Sequence, residues 1–160
     1  MDLGVTFVIA LVMAGLCGLR AFLPPLVVGC MMMAQAGPGD EMTGMQAAGI
    51  LVLLTLGFVE WVADKIPVID HIQDAVATVI RPIIGGLTAV MVMQYDGGVL
   101  STLPAFAAGA AAALGVHALK ATTRGVSTVT SGGTANPALS ILEDVTALGL
   151  VVAAGMALAG

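Results

Sequence analysis

The sequence predicts an all-α fold, a polytopic membrane bundle of about six short transmembrane helices in one domain over residues 1–160. Of its 160 residues, 59% are hydrophobic and 9% are charged, and the mean hydropathy is +1.07. A soluble domain carries roughly 25% charged residues, so this chain lacks the polar side chains to cover a water-exposed surface. The polar residues also gather in a few stretches between long apolar runs. Runs of that length predict membrane-spanning helices.

The apolar runs follow one another at about residues 3–19, 21–36, 44–63, 75–94, 99–119 and 137–158. Pro24 and Pro25 stand near the start of the second run, which predicts a helix break or a re-entrant segment near Pro24. Pro82 interrupts the fourth run and predicts a second break. The fifth run is rich in small residues, and its stripe of Ala105, Gly109 and Ala113 predicts a helix-packing or subunit interface.

The basic residues set the expected orientation. With six spans, all five Lys and Arg residues lie at or near connections on one side of the membrane, and cytoplasmic loops carry the excess of basic residues. We therefore expect a protein of the bacterial inner (plasma) membrane with cytoplasmic charged loops and both termini outside. The polar turns of three hairpins share that side, which is consistent with an internal repeat. The net charge of −5 gives no basic face for nucleic acid, so the expected partners are the lipid bilayer, a small ion or solute, and further copies of the chain.

The longest polar stretch in the middle of the chain carries two carboxylate pairs. Glu60 and Asp64 are four residues apart, as are Asp70 and Asp74, and residues at this spacing share one face of a helix. Together the four carboxylates predict a cation or proton site, and they would bind a hard divalent cation if they bind a metal. The alternative is that they pair with basic residues and hold the cytoplasmic helix ends together. No other cofactor is indicated.

Arg20 lies between two apolar segments with no acid near it in the sequence. A guanidinium at that depth costs several kcal/mol unless it is paired or hydrated. We expect a partner among Glu60, Asp64, Glu143 and Asp144. The alternative is an Arg20 side chain that extends to the membrane interface as a topology anchor.

A second polar centre begins at Asn136 and Pro137, where proline favours the start of a helix. Ser140, Glu143 and Asp144 follow on its first turns. All three are candidate binding residues. The alternative for the two acids is that they only stabilise the helix dipole. His117 is a candidate proton relay, with a hydrogen-bonded core histidine as the alternative.

The chain resembles a family of small membrane proteins, domain-of-unknown-function family 4126. The resemblance rests on Gly18-Leu-Arg-Ala-Phe-Leu-Pro24, Asp64-Lys-Ile-Pro67, Thr134-Ala-Asn-Pro-Ala-Leu-Ser140 and, at matching spacing, on Glu60, Asp70, Arg81-Pro82 and Glu143-Asp144. It implies an integral membrane protein made of helices, and it implies no particular activity.

The leading functional hypothesis is a small transporter or channel for a cation or a proton-coupled solute, with its site toward the cytoplasmic side. The candidate site residues are Arg20, Glu60, Asp64, Asp70, Asp74, Arg81, Arg124, Asn136, Ser140, Glu143 and Asp144. One alternative is a metal-dependent membrane enzyme or lipid-handling protein acting on phosphate head groups, with Arg20, Lys120 and Arg124 as donors to the phosphate. The other is a non-catalytic scaffold. The sequence contains no nucleophile elbow, Walker loop or zinc-protease motif, so no motif of this kind indicates enzyme chemistry.

Overall fold

Six helices make up the described part of the protein. A computed structural model describes residues 2–35, 42–64, 67–95 and 102–160, and for residues 67–74 it describes the backbone. The helices are α1 (Leu3–Leu16), α2 (Leu23–Ala34), α3 (Gly44–Ala63), α4 (Pro67–Tyr95), α5 (Thr102–Ser131) and α6 (Asn136–Ala159). Four of them, α3, α4 from Ala75 onward, α5 and α6, are long and apolar enough to cross a membrane. The predicted all-α membrane bundle is therefore confirmed.

The first two helices form a short hairpin. With 14 and 12 residues, they extend roughly 21 and 18 Å at 1.5 Å per residue, less than the roughly 30 Å of the hydrocarbon core. Met13 and Met31 both lie beside Gly155 of α6, whereas Arg20 between them reaches Asp144. The hairpin therefore turns at the level of Arg20. The break predicted near Pro24 is confirmed, at residues 17–22.

The break predicted near Pro82 is wrong. α4 is one helix from Pro67 to Tyr95 with Pro82 in its interior, and residues 67–74, expected in a polar connection, form its first turns. Proline removes one backbone hydrogen bond, which a membrane helix tolerates when neighbouring helices hold it in place. Here α1 and α5 both pack along α4, so its buried face supports the helix through the proline.

α5 also runs further than the apolar pattern predicts. The polar run at 120–136 reads as a loop, but the helix continues to Ser131. Its hydroxyl groups donate to carbonyl oxygens one turn back, as Thr123 does to Leu119 and Thr128 to Arg124, both at 2.9 Å. These bonds give the hydroxyl groups acceptors within the helix, so the polar segment needs no loop to satisfy them. The chain then turns at Gly132 and Gly133, where φ is +62° and +85°.

The centre of the bundle is the contact of α4 with α5 and α1. A Cβ on Gly85 would lie 2.4 Å from Ala113 Cβ, and one on Gly109 would lie 2.5 Å from Ala89 Cβ. Only glycine permits this approach, and small residues are how membrane helices pack closely. Ala105, Gly109 and Ala113 are buried by the chain itself. The stripe is thus a helix-packing surface, and its alternative interpretation as a subunit interface is wrong.

α3 is the least embedded helix. A capping box of Thr43 and Gln46 fixes its start, which explains why the apolar run at 44–63 predicted its bounds correctly. It packs against α2 and α4 only sparsely, and Glu60 is its buried residue. Most of its apolar side chains are exposed, and in a membrane they contact lipid. The predicted internal repeat, orientation and homo-oligomer stay predictions.

Candidate functional site

The end of α3 brings two carboxylates to the tip of the α1–α2 hairpin. Glu60 Oε1 accepts hydrogen bonds from the backbone N–H of Ala21 at 3.0 Å and from Arg81 Nη2 at 3.3 Å. One turn later Asp64 caps the helix, and its side chain has no exposed surface. Both carboxylates therefore point into the bundle on one helix face, as their spacing predicts.

Arg20 joins α3 to α6 through ion pairs. Its Nη1 lies 2.6 Å from Asp64 Oδ2, and its Nη2 donates to Asp144 Oδ1. The predicted pairing of Arg20 with an acid from another hairpin is confirmed. Since 6% of the Arg20 side chain is exposed, the interpretation as a topology anchor that reaches the interface is wrong.

Two basic residues of α5 complete this arrangement. Lys120 Nζ lies 3.3 Å from both Asp64 Oδ2 and Glu143 Oε2. Arg124, one turn further on, binds Glu143 with Nη2 at 2.6 Å and Nε at 3.2 Å, and its Nη2 lies 3.5 Å from Asp64. Asp64 Oδ2 therefore faces three cationic groups from two elements.

A second limb of the network connects Glu60 to His117. Arg81 has no exposed side-chain surface, and its Nη1 lies 2.6 Å from His117 Nδ1. Because a guanidinium can only donate, Nδ1 accepts. The proton of a neutral imidazole is then on Nε2, which lies 3.1 Å from the hydroxyl of Thr78. His117 is thus a hydrogen-bonded buried histidine, and its predicted relay role stays a prediction.

The network is balanced in charge. Its cationic residues are Arg20, Arg81, Lys120 and Arg124, and its carboxylates are Glu60, Asp64, Glu143 and Asp144. Four positive and four negative groups sum to zero. We call these eight residues the charge cluster. Balance matters here because an uncompensated charge inside a membrane bundle is costly.

One acceptor of the charge cluster is unused. Asp64 Oδ1 is buried and accepts no hydrogen bond from the described residues. Nε of Arg20 is likewise buried without an acceptor in that part of the chain. A buried polar atom without a partner costs about 1–3 kcal/mol, so each atom marks a place where a water molecule, an ion or a ligand group gains a hydrogen bond.

The other predicted site residues lie around the charge cluster. Ser140 is buried on α6, one turn before Asp144. Asn136 stands two turns before Glu143, where its Nδ2 donates to Thr128 Oγ1 at 3.0 Å. The side chains of Asp70 and Asp74 lie outside the described residues, so the predicted four-carboxylate metal site stays a prediction. In the part of the chain that the structure describes, no group of three or more His, Cys, Asp or Glu side chains is placed to hold a metal ion.

Lys120 was not among the predicted leading site residues, although it contacts two carboxylates of the charge cluster. The sequence contains a signal for it. His117, Lys120 and Arg124 are spaced by three and four residues, so on one helix they share a face. The predicted end of α5 near residue 119 placed Lys120 beyond the helix, and the sequence indicated it only as a phosphate-binding residue of the alternative function.

Two crevices reach the charge cluster from either side of α3. The first, of about 360 Å³, lies between α3 and α4 and has Glu60 and Arg81 among apolar wall residues. The second, of about 390 Å³, lies between α2, α3 and α6 and contains Arg20, Glu60 and Asp144. Sparse packing of α3 therefore opens the cluster toward the surface that faces lipid.

The fold and this cluster define an integral membrane protein of packed helices with buried ion pairs. The chain belongs to the family described as domain of unknown function DUF4126, whose model matches residues 7–157. This confirms the resemblance noted in the sequence. No curated protein and no solved structure matches the chain.

Proposed function

We propose that the protein is a small membrane transporter for a cation or a proton-coupled small solute, with Asp64 and Glu143 as its binding carboxylates. The observation that supports this most is the unused acceptor Oδ1 of Asp64, a fully buried carboxylate. A cation or a proton at this atom satisfies it. Another arginine side chain would first have to displace the Arg20 guanidinium that already contacts Asp64. The site would open toward the cytoplasmic side, where the charged helix ends are expected.

Lys120 is the internal cation that a cargo replaces. Its two contacts with carboxylates measure 3.3 Å, longer than the 2.6 Å contacts that Arg20 makes with Asp64 and Arg124 with Glu143. Lysine is a point charge on a flexible stem, whereas arginine binds carboxylates as a planar fork. Lys120 is therefore the cationic group that leaves Asp64 most readily.

A transporter fits better than an open channel. The side chains of Arg20, Asp64, Lys120 and Arg81 are at most 6% exposed. Packed ion pairs occupy the space that a channel would leave to water, so passage requires that these pairs exchange.

An ionic lock is the second candidate. Each of the four carboxylates in the charge cluster has a basic partner, as expected if the cluster only joins helix ends. The same observation disfavours an enzyme that holds a phosphate between Arg20, Lys120 and Arg124, because carboxylates already engage both terminal nitrogens of Arg20, the Lys120 ammonium and Arg124 Nη2.

Ion flux and cation rescue separate these functions. Purified protein in liposomes that contain a pH-sensitive dye is exposed to Na⁺, K⁺, Mg²⁺ or Ca²⁺ gradients, with empty liposomes as baseline and Asp2→Asn as a control. Asp2 lies at the start of α1, where its side chain accepts from Gly4 N, and asparagine caps a helix equally well. We expect one cation to change the internal pH in wild-type and Asp2→Asn liposomes.

The Lys120→Met variant is used for the second measurement, which is stabilisation by cations. It leaves the charge cluster with one excess negative charge, and we expect the transported cation to raise its melting temperature in proportion to the logarithm of its concentration. Absence of flux for every cation, with a Lys120→Met protein that no cation stabilises, contradicts transport and favours the ionic lock.

A further inference from the structure

The crevice between α2, α3 and α6 has one apolar and one polar end. The leucines that line it are Leu23, Leu26, Leu53, Leu54 and Leu148. Its charged lining residues are Arg20, Glu60 and Asp144, and on α3 Glu60 lies about two turns beyond Leu53 and Leu54. Its volume of about 390 Å³ lies within the roughly 300–1,000 Å³ of small-molecule sites. The crevice therefore has the polarity pattern of an amphiphile.

This polarity has the direction of a lipid in a bilayer. Trp61, which lines the charged end, stands near the end of the span Gly44–Ala63, and tryptophan is enriched at the membrane interface. Leu53 and Leu54 lie about two turns earlier on α3, roughly 10–12 Å along its axis. The charged end is thus at head-group depth and the leucines are at acyl-chain depth. A hydrocarbon chain fills such an apolar crevice, since water gains no hydrogen bonds there.

The charges at the polar end define the head group. Arg20 offers a buried Nε–H with no acceptor among the described residues, which suits a phosphate oxygen. Two carboxylates, Glu60 and Asp144, stand beside it, and Arg81 pairs with Glu60, so the charges at this end sum to zero and match a zwitterionic head group. Asp144 has 23% of its side chain exposed and is accessible to a ligand cation.

Aromatic side chains support a cationic group at the same end. The sequence has one Trp, one Tyr and four Phe, and three of these six line this crevice: Trp61, Phe58 and Phe22. The rings of Phe58 and Trp61 have centroids 6.2 Å apart. Aromatic faces attract ammonium groups, so rings and carboxylates favour the same partner.

We propose that this crevice binds a phospholipid with a phosphoethanolamine head group. The phosphate accepts from Arg20 Nε, the primary ammonium donates to Asp144 and Glu60, and one acyl chain lies along the leucines. An anionic phospholipid such as phosphatidylglycerol fits less well, because it brings no ammonium to two carboxylates. This inference does not depend on the proposed transport function.

The single tryptophan makes the crevice directly observable. Trp61 is the only Trp of the chain, and bromine atoms on a lipid acyl chain quench its fluorescence on contact. The protein is placed in phosphatidylcholine vesicles that contain rising fractions of brominated phosphatidylethanolamine or brominated phosphatidylglycerol. Because Trp61 is 49% exposed, surrounding lipid quenches it too, and the preference between the two head groups is the readout.

We expect phosphatidylethanolamine to bind the Trp61 site about tenfold more tightly than phosphatidylglycerol, as charge-assisted hydrogen bonds allow. Asp144→Asn should reduce that preference severalfold, whereas Asp2→Asn, with the same charge change at the far end of α1, should keep it. Gly57→Leu is a second variant that retains all charges. Gly57 lines the crevice, and a Cβ there lies 3.7 Å from Phe22 Cβ, so leucine fills the space and should also remove the preference.

Three outcomes overturn the proposal. Equal quenching by both brominated lipids in the wild type indicates surrounding lipid, or a second copy of the chain over the crevice. Stronger quenching by phosphatidylglycerol makes Arg20 the dominant group and the site anionic in preference. A preference that survives both Asp144→Asn and Gly57→Leu places the lipid elsewhere. Loss of transport in the flux assay changes none of these readings.

Discussion

Asp64→Asn is the substitution that tests the charge cluster most directly. Asparagine has the shape of aspartate without its charge, and Asp64 Oδ2 faces Arg20, Lys120 and Arg124 at 2.6, 3.3 and 3.5 Å. After the change, four cationic groups share three carboxylates. The excess positive charge is buried, because the side chains of Arg20, Lys120 and Arg124 are at most 6% exposed.

The expected loss of stability follows from this burial. Removing one partner of a buried ion pair costs about 3–5 kcal/mol, and 1 kcal/mol lowers the melting temperature of a chain this long by about 2–4 °C. Asp64→Asn should therefore lower the melting temperature by roughly 6–20 °C. Asp144→Asn, at a side chain that is 23% exposed, should cost about 1.5–3 kcal/mol. Asp2→Asn should stay within about 0.5 kcal/mol of wild type.

Thermal unfolding in detergent, followed by circular dichroism at fixed protein concentration, measures this order. The double variant Asp64→Asn/Lys120→Met restores charge balance, so it should be more stable than the sum of the two single changes by at least about 1 kcal/mol. Two results refute the reasoning. One is an Asp64→Asn protein as stable as Asp2→Asn, and the other is strict additivity in the double variant.

Two further predictions concern packing and access. Gly85→Ala brings a Cβ to 2.4 Å from Ala113 Cβ, whereas Gly115 faces open space. Gly85→Ala should therefore destabilise the protein by about 1–3 kcal/mol, and Gly115→Ala should not. Equal melting temperatures of the two variants contradict the close approach of α4 and α5. In detergent, a maleimide should label exposed Cys30 and spare buried Cys17, so that Cys30→Ser abolishes labelling detected by mass spectrometry; rapid labelling of the Cys30→Ser protein shows that Cys17 is accessible.

The sequence predicts the membrane bundle and its apolar segments well because lipid imposes a strict composition. It predicts α3 to the residue, since a capping box and a charged end border the apolar run. The sequence prediction fails where a polar segment is nevertheless helical. The first turns of α4 and the last turns of α5 are polar yet helical, and in α5 the hydroxyl groups find acceptors in the helix itself.

The sequence predicts most of the residues that form the site, but it does not predict which of them form ion pairs with one another. The expectation that Arg20 pairs with an acid from another hairpin follows from the cost of an unpaired charge, and it is confirmed. That its partners are Asp64 and Asp144, 44 and 124 residues away along the chain, depends on how the hairpin packs. No local spacing encodes that packing. The three-way contact at Asp64 Oδ2 requires α3, α5 and the hairpin tip together, and Lys120 takes part in it because α5 continues beyond residue 119.

Charge balance also explains how the proposed transporter would couple the entry of a cation to the departure of another positive charge. The charge cluster sums to zero, so a cation that enters alone leaves one buried positive charge in excess, which costs several kcal/mol. Entry is favourable when a positive charge leaves at the same step, either as a proton or as the Lys120 ammonium moving toward water. Lys120 bridges Asp64 at the end of α3 to Glu143 on α6, so its departure removes one of three ionic links between these helices and leaves those through Arg20 and Arg124. Because α3 is the least embedded helix, we expect it to be the element that shifts when this link is lost, so that exchange of charge at Asp64 is coupled to movement of a helix.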